Sequence, residues 1–221
     1  MGTHMQFAFT EEQTLIRESV ETACNELCDR EALFNIIENN NGFHKQAWNV
    51  LCADMGLGLT AVPEKRGGLG LSTIELASIM EKMGRNLVPT PFFTSVVLSA
   101  TALVNGNVSD VFDAILTEVS TGEKIASFAF LDTNGHDSAA TGAVKYNQTV
   151  TGTLGFVQYG DIADYFIVKA QDKSGKSCLV IIDANADGVE ITPRVSLEIT
   201  RPVSHVKRRS AQILGGQPLT L

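Results

Sequence analysis

The chain has 221 residues, of which 44% are hydrophobic, and its 17 basic and 25 acidic side chains give a net charge of −8 at pH 7. This hydrophobic content is enough for one large domain or two smaller domains with cores of their own. The acidic balance argues against nucleic acid as a main partner, because contacts to phosphate need a high density of lysine and arginine. No secretory signal and no apolar run of membrane length is visible, so we expect no membrane span and a cytoplasmic location.

Capping boxes mark the predicted starts of two helices. Thr10 is followed three residues later by Gln13, and Ser72 is followed in the same way by Glu75. Apolar residues at helical spacing come after each pair and predict amphipathic helices. The two apolar stripes are Ile16, Val20, Ala23 and Leu27 in the first helix, and Leu76, Ala77, Met80, Met83 and Leu87 in the second. Helices are predicted over about 44–55, 72–87, 92–104 and 109–121, with turn-forming breaks at Asn39-Asn40-Asn41-Gly42 and Asn105-Gly106-Asn107.

The four cysteines are scattered, with no CxxC pair. Cys24 and Cys28 fall on one face of the first helix, but no further His or Cys stands nearby at the spacing of a zinc site. We therefore predict small, buried, reduced thiols and no metal site.

From Gly122 onwards the periodicity changes from helical to strand-like. Strands are predicted over 125–131, 143–150, 155–159, 162–170, 177–183 and 188–192, with a turn at Asp172-Lys173-Ser174-Gly175. Helices followed by strands indicate an α+β fold and not a doubly wound sheet. We expect residues 1–4 to be a vector-derived leader, residues 5–122 an all-α domain and residues 123–221 a β-barrel-like domain.

A glycine-rich stretch between two predicted helices carries a family resemblance. Met55-Gly56-Leu57-Gly58-Leu59 leads through Val62-Pro63-Glu64 to Gly67-Gly68-Leu69-Gly70. This run closely resembles a segment of the amino-terminal helical domain of acyl-CoA dehydrogenases. The alternative is an ordinary helix–loop–helix with a glycine-rich turn. The resemblance implies a helical domain and a middle β-barrel, followed in the family by a carboxy-terminal four-helix domain that this chain would lack.

Two later segments resemble the family's flavin-contacting motifs, so the implied cofactor is FAD. The first spans residues 128–137, where Phe128, Gly135 and Asp137 match the family pattern while Leu131 and His136 replace hydroxyl residues. The second spans 152–164, where an aromatic that lies against the flavin ring in the family corresponds to Phe156. The flavin site implied in this way consists of Phe128, Phe130, Leu131, Gly135, His136, Phe156 and Gln158. The periodicity alone predicts that both segments are ordinary β-strands whose aromatic side chains lie in the core.

The family's catalytic base is a glutamate of the carboxy-terminal domain, so we assign no catalytic residue to this chain. Asp132 and Asp137 are the acids in the matching loop, and neither takes the position of the base. The resemblance implies an FAD-dependent acyl-CoA dehydrogenase, or a subunit or fragment of one. Its expected partners are an acyl-CoA substrate, of a steroid or other bulky class, an electron-transfer acceptor and a homo- or hetero-oligomeric acyl-CoA dehydrogenase subunit.

Two alternatives remain open at this stage. A non-catalytic scaffold or regulatory subunit fits the departures from the flavin motifs, and a flavoprotein with different chemistry is the third possibility. The basic run Lys207-Arg208-Arg209 replaces the more usual apolar-acidic step of the family. We interpret it as a solvated strand end, with contact to an anionic ligand or partner as the alternative.

Overall fold

A computed structural model describes residues 8–39, 42–106, 110–214 and 219–220, the last two for their backbone only. Helices come first and strands second. The helical elements are α1 Glu11–Leu27, α2 Arg30–Asn39, α3 Lys45–Asn49, a π-helix Val50–Asp54, 3-10 helices Leu57–Leu59 and Glu64–Arg66, α4 Thr73–Arg85, a π-helix Phe93–Ala100, α5 Thr101–Asn105 and α6 Asp110–Ser120. The strands are β1 Ala126–Ala129, β2 Val144–Asn147, β3 Thr149–Gln158, β4 Tyr165–Gln171, β5 Ser177–Asp183, β6 Val189–Arg194, β7 Val203–Gln212 and β8 Leu219–Thr220.

The predicted helices are confirmed, with two corrections. α4 ends at Arg85, so Leu87 is not part of its apolar face; it is exposed and has a positive φ of 50°. Ala77 is exposed as well, and Ile79 takes its place in the core. The expected leader and the residues Asn40, Asn41 and Asn107 of the two breaks lie outside the described residues.

The two capping boxes are joined to each other. In α1, the Thr10 hydroxyl accepts from the Gln13 backbone N–H, and the Gln13 side chain accepts from Thr10. The same Gln13 side chain donates to Glu75 Oε1 over 2.7 Å, while Glu75 Oε2 accepts from the Ser72 backbone N–H over 2.8 Å at the start of α4. One carboxylate therefore fixes the first turns of both helices against each other.

Glu75→Gln is expected to destabilise the protein by about 1–2 kcal/mol at pH 7, because the carboxylate loses charge-assisted hydrogen bonds. Hydrogen bonds from Ser72 and then Gln13 lower the pKa of Glu75 from 4.5 to about 2. Folding therefore favours the ionised form, and its contribution is complete above pH 4.5 and disappears as the pH falls towards 2. Urea unfolding at several pH values measures this: the difference between wild type and variant should shrink below pH 4.5, and a pH-independent difference would contradict the assignment.

The strands form one curled, mixed sheet in the order β6-β7-β3-β2-β4-β5-β8. β1 lies off this path and pairs with β4 in parallel, and β2 also meets β4 in parallel at one residue pair. The other pairings are antiparallel. The expected α+β fold with a barrel-like second half is thus confirmed as a curled sheet.

Three of the strand predictions need revision. The segment predicted as one strand over 143–150 contains a tight hairpin, in which Gln148 has a positive φ of 65° between β2 and β3. β3 runs on to Gln158 and includes the segment predicted over 155–159. The strand predicted over 162–170 begins only at Tyr165, because residues up to 164 form the turn that leads out of β3.

Both faces of the central strands β4 and β5 are buried. Phe166, Val168 and their neighbours face the inside of the curled sheet, while Ile167, Leu179 and Ile181 face the helices α5 and α6. This explains why both strands read as almost continuous apolar runs without alternation. α1, α3 and α4 pack around a separate core that contains Trp48 and Leu51. The last helix ends at Ser120 and the first strand begins at Ala126, so the proposed domain boundary at 122–123 falls between them.

The cysteines are buried free thiols, as predicted. Burial raises the pKa of Cys24 to about 12 and that of Cys28 to about 11. Over the described ranges, no three His, Cys, Asp or Glu side chains converge in a way that could hold a metal ion. Each helix in those ranges is too short or too polar to cross a membrane.

The interpretation of Lys207-Arg208-Arg209 as a solvated strand end is wrong for its middle residue. β7 continues to Gln212, so the run lies inside the strand. Side chains alternate along a strand, and Arg208 points into the sheet interior with 1% of its surface exposed. Lys207 and Arg209 point outward, to Glu190 on β6.

Candidate functional site

A β-bulge places Phe156 on the surface of the sheet. Between the pairs Leu154–Val206 and Val157–Ser204, β3 has two residues where β7 has one. The extra residue allows both Leu154 and Val157 to point into the core, while Phe156 between them takes a positive φ of 53° and remains 50% exposed. Bulges and positive φ values at bulky residues are costly and are frequent at functional sites.

The loop between residues 131 and 137 lies directly on this bulge. The Gly155 N–H donates to the Leu131 carbonyl over 3.0 Å, and a Cβ at Gly155 would lie 2.7 Å from the Asp132 carbonyl oxygen. Only a glycine permits this approach. Gly135 has a positive φ of 84°, and a Cβ at this position would lie 3.8 Å from Cε2 of Phe156. The two sequence motifs are thus held in contact through their backbones.

The remaining predicted aromatics stand on β1 and immediately after it. The rings of Phe128 and Phe130 are 5.6 Å apart, and Phe130 is partly exposed. The backbone of β1 is held on one side by β4. On its other side, the Phe128 N–H donates to the Thr94 hydroxyl over 2.9 Å, and the Ala126 N–H donates to the Ser95 hydroxyl over 3.1 Å.

Polar side chains on the same surface keep free hydrogen-bonding capacity. The Gln158 amide makes no hydrogen bond to another described residue, although its backbone carbonyl accepts from Ser127. The His136 side chain is 70% exposed, with Nδ1 3.9 Å from a carboxylate oxygen of Asp132. The ring of His205, across from the bulge on β7, stands edge-on to Phe156 at 6.4 Å between centroids.

The two carboxylates of the loop, Asp132 and Asp137, already accept hydrogen bonds from other groups of the protein. Asp132 accepts from the backbone N–H groups of Asn134 and His136, which lowers the pKa of the carboxyl. Asp137 accepts from the N–H groups of Ala139 and Ala140 and pairs with Lys169, and this lysine is the main reason why the pKa of Asp137 is lowered. Both carboxylates are therefore committed to contacts that hold the loop in place.

Comparison with known proteins shows similarity to one family. Residues 10–111 match the family model described as acyl-CoA dehydrogenase, N-terminal domain. The chain is 26% identical to the acyl-CoA dehydrogenase FadE27 of Mycobacterium tuberculosis over 209 residues, which are 95% of this chain and 55% of that protein. The chain is a relative of the acyl-CoA dehydrogenases.

Solved structures of this family share the fold. In the ChsE4–ChsE5 complex of Mycobacterium tuberculosis, one chain superposes with a TM-score of 0.86 at 25% identity, over 98% of our chain and 58% of the other. An acyl-CoA dehydrogenase of Bacillus anthracis complexed with FAD superposes with a TM-score of 0.81 at 20% identity, over 96% and 38% of the two chains. The chain spans little more than half the length of the curated relative and of the ChsE4–ChsE5 chain that it matches.

The surface around Phe156 fits part of the flavin implied for an acyl-CoA dehydrogenase. An exposed aromatic ring beside a free amide suits a flat, conjugated ring system with hydrogen-bonding edges. Leu131 contributes only its backbone, whose carbonyl is already taken by Gly155. The predicted set of residues contains no Lys or Arg, so the fit covers the ring system and not the diphosphate of a dinucleotide.

A second surface with unusual apolar exposure lies between β6 and β7. Val195 and Leu197 are fully exposed, and Ile199 is half exposed. The same loop lines a cavity of about 300 Å³ together with Ile37 of α2. The Tyr159 hydroxyl donates to the carbonyl of Thr200 over 2.8 Å and holds the end of this loop. Exposed apolar groups of this kind are typical of contact surfaces.

The sequence analysis did not single out His205, Thr94 or Ser95. His205 is placed beside Phe156 only through the pairing of β7 with β3, which local patterns do not reveal. Thr94 and Ser95 carried a weak signal, since adjacent hydroxyl residues in an otherwise apolar helix are unusual. They stand in the π-helix Phe93–Ala100, and π-helical segments are frequent at functional sites.

Proposed function

We propose that this chain supplies the flavin-facing wall of an FAD-dependent acyl-CoA dehydrogenase. The observation that carries the proposal is the bulge at Gly155-Phe156, which exposes an aromatic ring at the cost of a strained backbone. In such a reaction a base would remove the α-proton of an acyl-CoA thioester, and FAD, when bound, would supply the acceptor for the β-hydride. Phe156 would support the ring system, and Gln158 would donate to its edge. Phe128, Phe130, Gly135 and His136 complete the proposed wall.

The base and part of the FAD site come from outside the described residues in this proposal. Asp132 and Asp137 are held by the loop and by Lys169, which supports a base on another segment or on a partner subunit. The exposed apolar loop with Val195 and Leu197 supports a contact with such a subunit. We place the working assembly, whether homo- or hetero-oligomeric, in the cytoplasm, because buried reduced thiols suit a reducing compartment.

The substrate class and electron acceptor follow from similarity to relatives. ChsE4–ChsE5 is a heteromeric neighbour, and a steroid acyl-CoA dehydrogenase is another neighbour of the same fold, with a TM-score of 0.85. On this basis we propose a steroid or other bulky acyl-CoA as the substrate. An electron-transfer protein is the proposed acceptor, because a structure described as an electron transferring flavoprotein is a further neighbour of the same fold. A non-catalytic subunit that completes a partner is the second candidate, favoured by Leu131, whose side chain has no hydrogen-bonding group at this surface.

The deciding experiment is the visible absorbance of the purified protein, alone and after co-expression with a candidate partner subunit. We expect bound flavin, and Phe156→Ala should weaken its binding about tenfold or more because an aromatic stacking partner is lost. Phe34→Ala is the matched control, since Phe34 is equally exposed but lies on α2. Flavin absent from the wild type with and without the partner would favour the non-catalytic subunit, and equal loss in both variants would contradict the role of Phe156.

A further inference from the structure

Arg208 is a charged side chain inside the sheet that has no hydrogen-bond partner in the described part of the chain. On β7, Ser204, Val206 and Arg208 face inward, and the last of these is 1% exposed. Its guanidinium lies over the ring of Phe166 at 5.8 Å, reaching from β7 to β4. Neither Nε nor the two terminal nitrogens has a hydrogen-bond partner among the described residues.

Within the described part of the chain, no carboxylate pairs with this guanidinium and no group accepts its hydrogen bonds. The buried hydrophobic side chains of this core include Ala129, Leu154, Val180 and Ile182. The ring of Phe166 attracts the face of the guanidinium but cannot accept from the N–H groups that point outward in its plane. Burial lowers the pKa of Arg208 to about 9, because the charged form loses its hydration. A buried charge without a partner costs several kcal/mol.

The geometry of the guanidinium determines what would complete the site. Its planar set of N–H donors matches the two oxygens of a carboxylate, which would satisfy the hydrogen bonds and neutralise the charge together. A singly charged group is also cheaper to desolvate than a doubly charged phosphate. The hydroxyl of Ser204, on the same inner face of β7, is buried and unpartnered too. β6 is the outermost strand beside β7, so Arg208 stands only one strand from the edge of the sheet.

We propose that the inner face of β7 is a carboxylate-binding site in which Arg208 holds the anion. The carboxylate comes either from a small free acid or from an acidic side chain supplied by a second polypeptide. This site is separate from the surface around Phe156 and does not depend on the proposed flavin function.

Thermal unfolding of the whole chain with added sodium acetate tests the proposal, with sodium chloride at the same ionic strength as reference. Acetate at ten times its dissociation constant should raise the Tm of the wild type by about 3–6 °C. Arg208→Met should abolish this response and should melt above the wild type when no acetate is present, because the unpaired charge is removed. Arg209→Met is the matched control: it removes the same charge from an exposed residue that pairs with Glu190, and it should respond to acetate like the wild type.

A second experiment, thermal unfolding at several protein concentrations, distinguishes the two sources of the carboxylate. If an acidic side chain of another copy fills the site, the Tm of the wild type should rise with protein concentration without acetate, and that of Arg208→Met should not. Should Arg208→Met fail to fold, the Nε–H resonance of a buried arginine in labelled wild-type protein should shift on addition of acetate. The proposal is overturned if the wild type responds neither to acetate nor to concentration, or if Arg208→Met responds as the wild type does.

Discussion

Gly58→Ala is expected to destabilise the protein by about 3 kcal/mol or more, because the new methyl group has no space. A Cβ at Gly58 would lie 2.1 Å from the carbonyl oxygen of Ser120, the last residue of α6. The carbonyl belongs to the backbone and the Cβ is bonded directly to it, so neither can rotate away as the end of a flexible side chain would. The 3-10 helix that contains Gly58 and the end of α6 would have to separate, and the Tm should fall by about 6–12 °C.

Gly84→Ala is the control for this prediction. Gly84 lies within α4, and apart from its chain neighbours and the helix's own backbone, no described heavy atom stands within 4 Å of the position that a Cβ would take. The methyl group should therefore stabilise the helix by about 0.5–1 kcal/mol, through the lower entropy of the unfolded chain. Thermal unfolding followed by circular dichroism compares the two variants. A Gly58→Ala protein that melts within about 1 °C of the wild type would show that α6 does not approach this closely.

Trp48→Ala should cost about 3–5 kcal/mol, the usual range for removing a large buried aromatic. Trp48 is 2% exposed in the core of the helical half. Its indole N–H donates over 2.9 Å to the carbonyl of Gly122, in the segment that leads from α6 to β1. The substitution therefore removes core packing and also the hydrogen bond that fixes this connection.

Trp48→Phe separates the two contributions. The smaller ring keeps most of the packing but leaves the Gly122 carbonyl without its donor, so we expect a loss of about 1–3 kcal/mol. Leu15→Ala, at an exposed position of α1, should change stability by less than about 0.5 kcal/mol. Urea unfolding is best followed by circular dichroism, since Trp48 is the single tryptophan and its fluorescence is lost with it. Equal losses for Trp48→Ala and Trp48→Phe would contradict the packing role.

The elements that local interactions specify were predictable to the residue. α1 begins directly after Thr10 and α4 directly after Ser72, because a capping box is complete within four residues. The turn at Asp172 is equally local: its carboxylate accepts from the N–H groups of Ser174 and Lys176. The strand predicted over 177–183 matches β5 at both ends, since its apolar run stops at a turn signal on one side and at Asp183 on the other.

The sequence predicted some residues of the candidate site but not their arrangement in space. The family resemblance pointed to Phe156, but its exposure depends on a bulge, and a bulge is defined by the strand opposite. The same applies to the approach of the loop 131–137 to Gly155, a contact between backbones that are far apart in the chain. The pairing of β7 with β3 brings His205 beside Phe156. No pattern within one segment contains this information.

The sequence by itself determined the order of helices and strands, the helix starts, the tight turns and the likeness to acyl-CoA dehydrogenases, since each depends on interactions or motifs within a short segment. The tertiary structure alone decided which way each strand faces. Arg208 shows this most clearly: a basic run of three residues suggests solvent, but a strand must send alternate side chains to opposite faces. Lys207 and Arg209 face outward towards Glu190, so the alternation along β7 places Arg208 on the inner face, where it has no hydrogen-bond partner among the described residues.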